Sequence, residues 1–204
     1  MIQPIVEGQG DVKAFPVLLR RLVERSGNYE IQINSPVRRK RYQLIDRNEL
    51  SKSVRIALER PGTQAVLILF DADGDCPLEI GPQIKELAQA ECGVIPCEVV
   101  VAKEEYESWF LAAIDSLRGK YGIDATAYFE GDPERPRGAK ERISLIRPYG
   151  YSPTVDQAKL SSAFDLAAAY RRCRSFRKLT SAFGNLVKSL GLSVAEWPPS
   201  NWIA

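Results

Sequence analysis

The chain has 204 residues, 45% of them hydrophobic and 26% charged, with a net charge of +2. This is the composition of a folded globular chain of one-domain size, and so small a net charge selects no class of partner. There is no histidine, which excludes Ser-His and Cys-His mechanisms and leaves acid–base work to carboxylates, Lys, Tyr or metal-bound water.

Residues 2–6, IQPIV, predict a first strand. Glu7-Gly8-Gln9-Gly10-Asp11 follows as a tight turn, placing Glu7 at the C-terminal end of that strand. Val12, Phe15, Leu18, Leu19, Leu22 and Val23 then repeat at helical spacing as far as Gly27. Pro16 suggests a helix start a few residues beyond Asp11. Gly8 and Gly10 lack the third glycine of a dinucleotide fingerprint.

Residues 29–35 alternate apolar and polar and predict a second strand. Arg38, Arg39, Lys40 and Arg41 form a basic run that either tracks a phosphate backbone or is a solvated loop. A helix capped by Asn48 or Ser51 carries Leu50, Val54, Ala57 and Leu58 and ends at Pro61-Gly62.

Residues 65–75, AVLILFDADGD, are the most informative stretch. An uninterrupted apolar run predicts a fully buried central strand. Asp71, Asp73 and Asp75 close it, at the sheet edge where open α/β folds bind ligands. Alternate residues of an extended chain point the same way, so Asp71 and Asp73 are expected to converge. Crowded carboxylates repel, and a hard divalent cation relieves that repulsion. The plain alternative is an acidic turn.

A helix over residues 77–92 and a strand over 94–102 come next. A further helix is predicted from Glu104, with Glu104 and Glu107 on one face of its first turn. Those two are either ligands or acids favoured there by the helix dipole. Trp109 and Phe110 read as core anchors. Residues 122–153 are rich in Gly, Pro and charge, with one short helix near 139–146 carrying Lys140 and Arg142. Residues 161–190 predict two helices, with Arg171, Arg172, Arg174, Arg177 and Lys178 between and along them. The terminal segment, with Trp197 and Trp202, is expected to be extended and packed on the body.

The alternation of strands and helices predicts an α/β fold with a mostly parallel, Rossmann-like sheet. Residues 1–122 form the expected α/β core, and 123–204 a loop-rich connection and helical extension packed on it. Parallel strands with right-handed crossovers bring Glu7, the Asp71, Asp73 and Asp75 set, and Glu104 with Glu107 to one edge. Oxygen-only ligands suit Mg²⁺ or Mn²⁺, and such sites handle phosphate esters. Cys76, Cys92, Cys97 and Cys173 contain no CxxC pair, which argues against structural zinc and fits a reducing cytoplasm. No apolar run reaches the roughly 20 residues of a membrane span, and the N-terminus lacks a signal-peptide pattern. The expectation is a cytoplasmic chain without membrane contact.

Val6-Glu7-Gly8 and Phe70-Asp71-Ala72-Asp73 resemble the Glu-Gly and Asp-x-Asp motifs of the Toprim fold, shared by topoisomerases, bacterial primases and overcoming-lysogenization-defect nucleases. The order VEGxxD, Asp-x-Asp, then Glu104 to Trp109 and a Lys-bearing helical part looks like a bacterial Toprim-related family of unknown function, over roughly residues 1 to 180. The resemblance implies divalent-metal binding by Glu7, Asp71 and Asp73, with Lys140 or Lys159 as phosphate contacts. It implies cleavage of DNA or RNA, and by analogy a partner ATPase in phage defence or DNA repair. Arg38 to Arg41, Lys159, Arg171 and Arg172 are the nucleic-acid contacts expected with it.

Two alternatives stand beside that reading. Phe70-Asp71-Ala72-Asp73-Gly74 also resembles the first motif of haloacid-dehalogenase-type phosphatases, with Asp71 as nucleophile and Asp73 as acid/base. Against it, Asp75 replaces the usual Thr or Ser, and the strand is the third rather than the first. The other alternative is a Toprim module that binds a partner or nucleic acid without catalysis.

Overall fold

The structure is a computed structural model and describes residues 1–135, 137–194 and 196–203. Four parallel strands form one sheet: β1 (Ile2–Val6), β2 (Val37–Arg38), β3 (Ala65–Asp71) and β4 (Cys97–Ala102), in the order β2-β1-β3-β4. Helix α1 (Asp11–Ser26) follows β1, α2 (Arg41–Ile45) and α3 (Arg47–Leu58) precede β3, and α4 (Pro77–Cys92) joins β3 to β4. Beyond β4 come α5 (Ser108–Ala112), α6 (Ala139–Leu145), α7 (Ala158–Ala163), α8 (Leu166–Arg172), α9 (Arg174–Ser189) and α10 (Ser200–Ile203). This is the expected α/β, Rossmann-like architecture with a helical C-terminal region.

The unbroken apolar run of β3 is explained by two cores, one on each face of the sheet. Ala65, Leu67 and Leu69 face α1 and the C-terminal helices, while Val66, Ile68 and Phe70 face α3 and α4. In β4, Val100 and Ala102 share the first core, and Cys97, Val99 and Val101 the second. The first core takes Phe164, Phe176 and Phe183 from the C-terminal helices together with Ile2 and Leu67. Trp109 and Phe110 lie within it, as the sequence suggests. Trp109 meets the Tyr106 and Phe176 rings and donates Nε1–H to Ser175 Oγ at 2.8 Å.

Six local expectations are corrected. The second strand does not run through 29–35. Ile33 makes only an isolated bridge to Ile2, and regular pairing resumes at Val37. Pro36 interrupts it because it has no N–H to donate, and Gln3 Nε2 crosses the gap to Ser35 O at 3.0 Å. The cap of α3 is Asp46, whose Oδ1 accepts Asn48 N–H and Glu49 N–H at 3.0 Å each, rather than Asn48 or Ser51. Helix α1 begins at Asp11 and holds Pro16 inside it. No helix begins at Glu104, whose φ of 31° is left-handed. Instead Asp71 Oδ1 accepts the Tyr106 N–H at 2.9 Å, and the helix starts at Ser108. Residues 161–190 hold three helical segments rather than two. Trp197 packs against Phe183 and donates to Thr180 O at 2.8 Å, and the terminal segment ends in the short helix α10.

Candidate active site

Strands β1 and β3 are adjacent and in register, Val6 pairing with Leu69. Glu7, one residue beyond Val6, and Asp71, two beyond Leu69, therefore lie at the same edge of the sheet. Strand β4 ends opposite Asp71, which pairs with Ala102, so Glu104, Glu105 and Glu107 arrive at that edge too. Lys140 at the start of α6 reaches into this group. Its ammonium lies 3.4 Å from Asp71 Oδ2, 3.7 Å from Glu105 Oε1 and 3.9 Å from Glu107 Oε2. Glu105 Oε2 also accepts the Lys140 backbone N–H at 3.0 Å, fixing the entry to α6.

Glu107 is fully buried; Tyr151 donates its hydroxyl to Oε1 at 2.7 Å, while Oε2 has no hydrogen-bond partner. Glu7 Oε2 is likewise buried without a partner. Asp11 is buried below them and accepts from Gly8 N–H and Gln157 Nε2, each at 2.8 Å. Gly10 allows α1 to approach Gln157, since a Cβ there would lie 2.0 Å from Gln157 Oε1 and 2.8 Å from Pro153 O. Gly10→Ala is expected to cost about 1–2 kcal/mol, because the amide can swing aside but the Pro153 backbone cannot. Chemical denaturation of the variant measures it.

Burial sets the titration of this cluster. It pushes the Glu7 carboxyl up, with Asp73 and Asp11 adding to the effect while Arg41 and the Asp71 backbone N–H oppose it. Burial raises Asp11 despite its two hydrogen bonds. It raises Asp71 strongly, helped by Glu107 and opposed by Lys140. Glu107 is pushed up to about 7 by burial, with Lys140 and the Tyr151 hydroxyl pulling the other way. Burial would lower Lys140, but Glu107, Asp71 and Glu105 outweigh it and raise the ammonium.

A carboxyl raised on folding binds its proton more tightly in the folded state. Its stabilisation is complete below about pH 4.5 and is lost as pH rises through about 7 for Glu107. Glu107→Gln is therefore expected to flatten the fall in melting temperature between pH 5 and 8. An unchanged slope across that window would contradict it.

Not every residue singled out in the sequence joins this group. Asp73 does not converge with Asp71 along one extended strand, because β3 ends at Asp71 and Asp73 has a φ of 48°. Arg41 lies between the β3 end and the acids. Its guanidinium donates to Asp71 O, to Ala72 O at 2.9 Å and to Asp75 Oδ2 at 2.5 Å, and sits 3.9 Å from Asp73 Oδ2. Asp75 is thus turned to Arg41 rather than to Glu7. Glu104 pairs with Arg137 at 3.6 Å instead of sharing a helical face with Glu107. Asp73, Glu104, Glu105 and Arg137 line an open cavity of about 310 Å³ beside the cluster. Among the described residues, no three His, Cys, Asp or Glu side chains are gathered closely enough to hold one cation.

The expected nucleic-acid contacts are dispersed. Arg38 donates to Glu7 O at 3.2 Å, on the rim of the cluster. Arg39 is half-buried with its Nε unpartnered, and Lys40 is exposed. Lys159 sits 3.9 Å from Asp156. Arg172 is occupied by three carbonyls, those of Ala112, Phe129 and Gly131, and Arg171 reaches Asn201 O at 3.4 Å. These two arginines tie the helical region together. Sequence reading passed over the roles of Glu105, Tyr151, Gln157 and Arg137. Tyr151 and Gln157 meet the acids only by chain crossing and carry no local signal.

Among the described residues no helix is long and apolar enough to cross a membrane. No curated protein matches the chain, and no solved structure matches it either. Residues 6–183, from the end of β1 through most of α9, match the model of domain of unknown function DUF4276. The match includes Glu7, Asp71, Asp73, Glu107 and Lys140, so the chain belongs to the DUF4276 family with every residue of its buried acidic cluster inside the family domain.

Proposed function

We propose that this edge is the active site of a Mg²⁺- or Mn²⁺-dependent phosphodiesterase acting on nucleic acid, in line with the Toprim-like motifs. The observation that carries the reading is Glu7. Its Oε2 is buried and unpartnered at the end of β1, one strand away from Asp71. A buried carboxylate oxygen without a donor is costly, and a hard cation at that position would relieve the cost. The donor types suit such an ion, since Glu7, Asp71 and Asp73 offer oxygen only, and the three would have to draw together to hold it. Glu7, Asp71 and Asp73 would hold the ion, with Asp73 exchanging its weak contact to Arg41 for it.

When bound, the cation would supply an activated water and stabilise charge on the transferring phosphoryl group. Lys140 orients Asp71 and places a fixed positive charge beside it. Arg41 fixes the β3 turn through two carbonyls. Tyr151 holds the Glu107 carboxyl in place. A partner ATPase belongs to this reading as an analogy, and assays with and without one are part of its test.

Incubation with labelled DNA and RNA and Mn²⁺ is expected to give metal-dependent cleavage, with no turnover of p-nitrophenyl phosphate. Monoesterase activity, with beryllofluoride trapped on Asp71, would move the assignment to the phosphatase class. Nucleic-acid binding is expected to weaken steeply with added salt, and charge removal at Arg38 and Arg39 to reduce that slope.

A further inference from the structure

Strand β3 lies between β1 and β4, so Asp71 divides the acids of this edge into two sides. Glu7 follows β1 on one side, and Glu105 and Glu107 follow β4 on the other. The two sides are compensated differently. On the β1 side, Glu7 Oε2 is buried and has no partner. On the β4 side stands an ammonium, Lys140 Nζ, at 3.4 Å from Asp71, 3.7 Å from Glu105 and 3.9 Å from Glu107.

The seat of that ammonium is fixed from several directions. Glu105 faces it with Oε1 while its Oε2 accepts the Lys140 backbone N–H at 3.0 Å, so one carboxylate holds both ends of the residue. Asp71 Oδ1 accepts the Tyr106 N–H, which leaves Oδ2 turned to Lys140. Tyr151 donates to Glu107 Oε1, and the fully buried Oε2 has Lys140 beside it and no hydrogen-bond donor. These separations suit an ammonium. A divalent ion with oxygen ligands at about 2.1 Å would need the three acids to draw in, in keeping with the lack, among the described residues, of a ready-made acidic cage. The Lys140 side chain is 37% exposed, so its position is open to ions from solvent.

Two-metal phosphoryl-transfer sites hold their ions about 3.5–4 Å apart, one for the attacking and one for the leaving oxygen. Gaps on either side of one strand are centred one strand spacing apart, about 4.8 Å. A cation beside Glu7 and the ammonium beside Glu107 would thus form a pair of similar separation, with Asp71 between them.

We propose that the Lys140 ammonium takes the place of a second metal ion, so that this edge binds one divalent cation per chain and works with a cation–lysine pair. The assignment rests on the phosphodiesterase reading for the cation on the Glu7 side. Lys140 supplies fixed positive charge to an oxygen of the transferring phosphoryl group, and the acids that would otherwise hold a second ion are spent on holding the lysine.

The test counts Mn²⁺ on the full chain, without nucleic acid, by titration calorimetry and electron paramagnetic resonance. One ion per chain is expected in the parent and in Lys140→Arg, which keeps the charge. Lys140→Ala should bind two, with the paramagnetic signal of a coupled pair, and Lys140→Ala/Glu107→Gln should return to one. Circular dichroism checks the fold of each variant, with Lys140→Ser in reserve if Lys140→Ala does not fold. The parent's own count needs no variant, and two ions there overturn the proposal. It is also overturned if the folded variant without Lys140 gains no ion, or if the ion it gains survives Glu107→Gln. A parent that binds no Mn²⁺ would remove the metal reading of Glu7. The count in Lys140→Ala would then still decide the role of Lys140, one ion supporting it as a cation's substitute and none overturning it.

Discussion

Glu7→Gln is expected to abolish metal-dependent cleavage while raising the melting temperature of the metal-free protein at neutral pH. The substitution is nearly isosteric and removes one charge from a buried carboxyl whose Oε2 has no partner. The folded state then no longer holds that charge out of water, and the neighbouring Asp73 and Asp11 repel one group fewer. Loss of a positioned acid–base group lowers a rate by about 10²- to 10⁴-fold, and loss of a metal ligand reaches at least the upper end of that range. Calorimetric titration with Mn²⁺ should show weaker binding in Glu7→Gln and in Asp71→Asn, and Mn²⁺ should stabilise the parent more than either variant. Equal Mn²⁺ affinity in the parent and both variants would remove the metal site from this edge.

Lys140→Met should produce the second large effect, this time on the fold as well as the chemistry. Lys140 is the one cation within 4 Å of Asp71, Glu105 and Glu107 together, among the described residues. Its removal leaves buried acids without a counter-charge. Breaking a fully buried pair costs about 3–5 kcal/mol, and the 37% exposure of the lysine side chain discounts this to about 2 kcal/mol. The deficit has a characteristic pH dependence. Asp71 and Glu107 already hold their protons more tightly than usual, and without Lys140 they would hold them more tightly still. The loss should therefore be largest at pH 8 and shrink as pH falls toward 5.5, where protonation replaces the missing cation. Thermal melts of parent and variant across that range give the comparison. A deficit independent of pH would mean that Lys140 acts through packing of α6 and not through charge. Cleavage by the variant should also fall, because Asp71 loses its orienting contact.

The fold was legible where local pattern and burial agree. The apolar run 65–70 is continuous because β3 is covered on both faces, and alternation of its residues between two cores needs no further information. The helix over 77–92 and the short helix near Lys140 were readable from period and turn residues. The acids at the strand ends were readable for the same reason, since parallel strands with helical crossovers deliver their C-termini to one edge. Misreadings fell where tertiary contacts override a local preference. Glu104 to Glu107 have the composition of a helix start, but the Tyr106 N–H is taken by Asp71 across the sheet. Residues 29–35 alternate well, but Pro36 and the Gln3 bridge end the ladder.

The sequence by itself determined that no histidine can serve here, which leaves any acid–base chemistry to carboxylates, Lys, Tyr or metal-bound water. It also determined the α/β order and that acids follow β1, β3 and β4 at one edge of the sheet, since these follow from residue type and from the periodicities of strand and helix. Only the tertiary structure decided how those acids are compensated. Lys140 and Tyr151 come from beyond the last strand to meet Asp71 and Glu107, while Arg41 draws Asp75 away from Glu7. Such pairings depend on chain crossings of 30 residues or more, as between Arg41 and Asp71. Charge is a property of each residue, but burial and neighbours set its cost, and those exist only once the chain has folded.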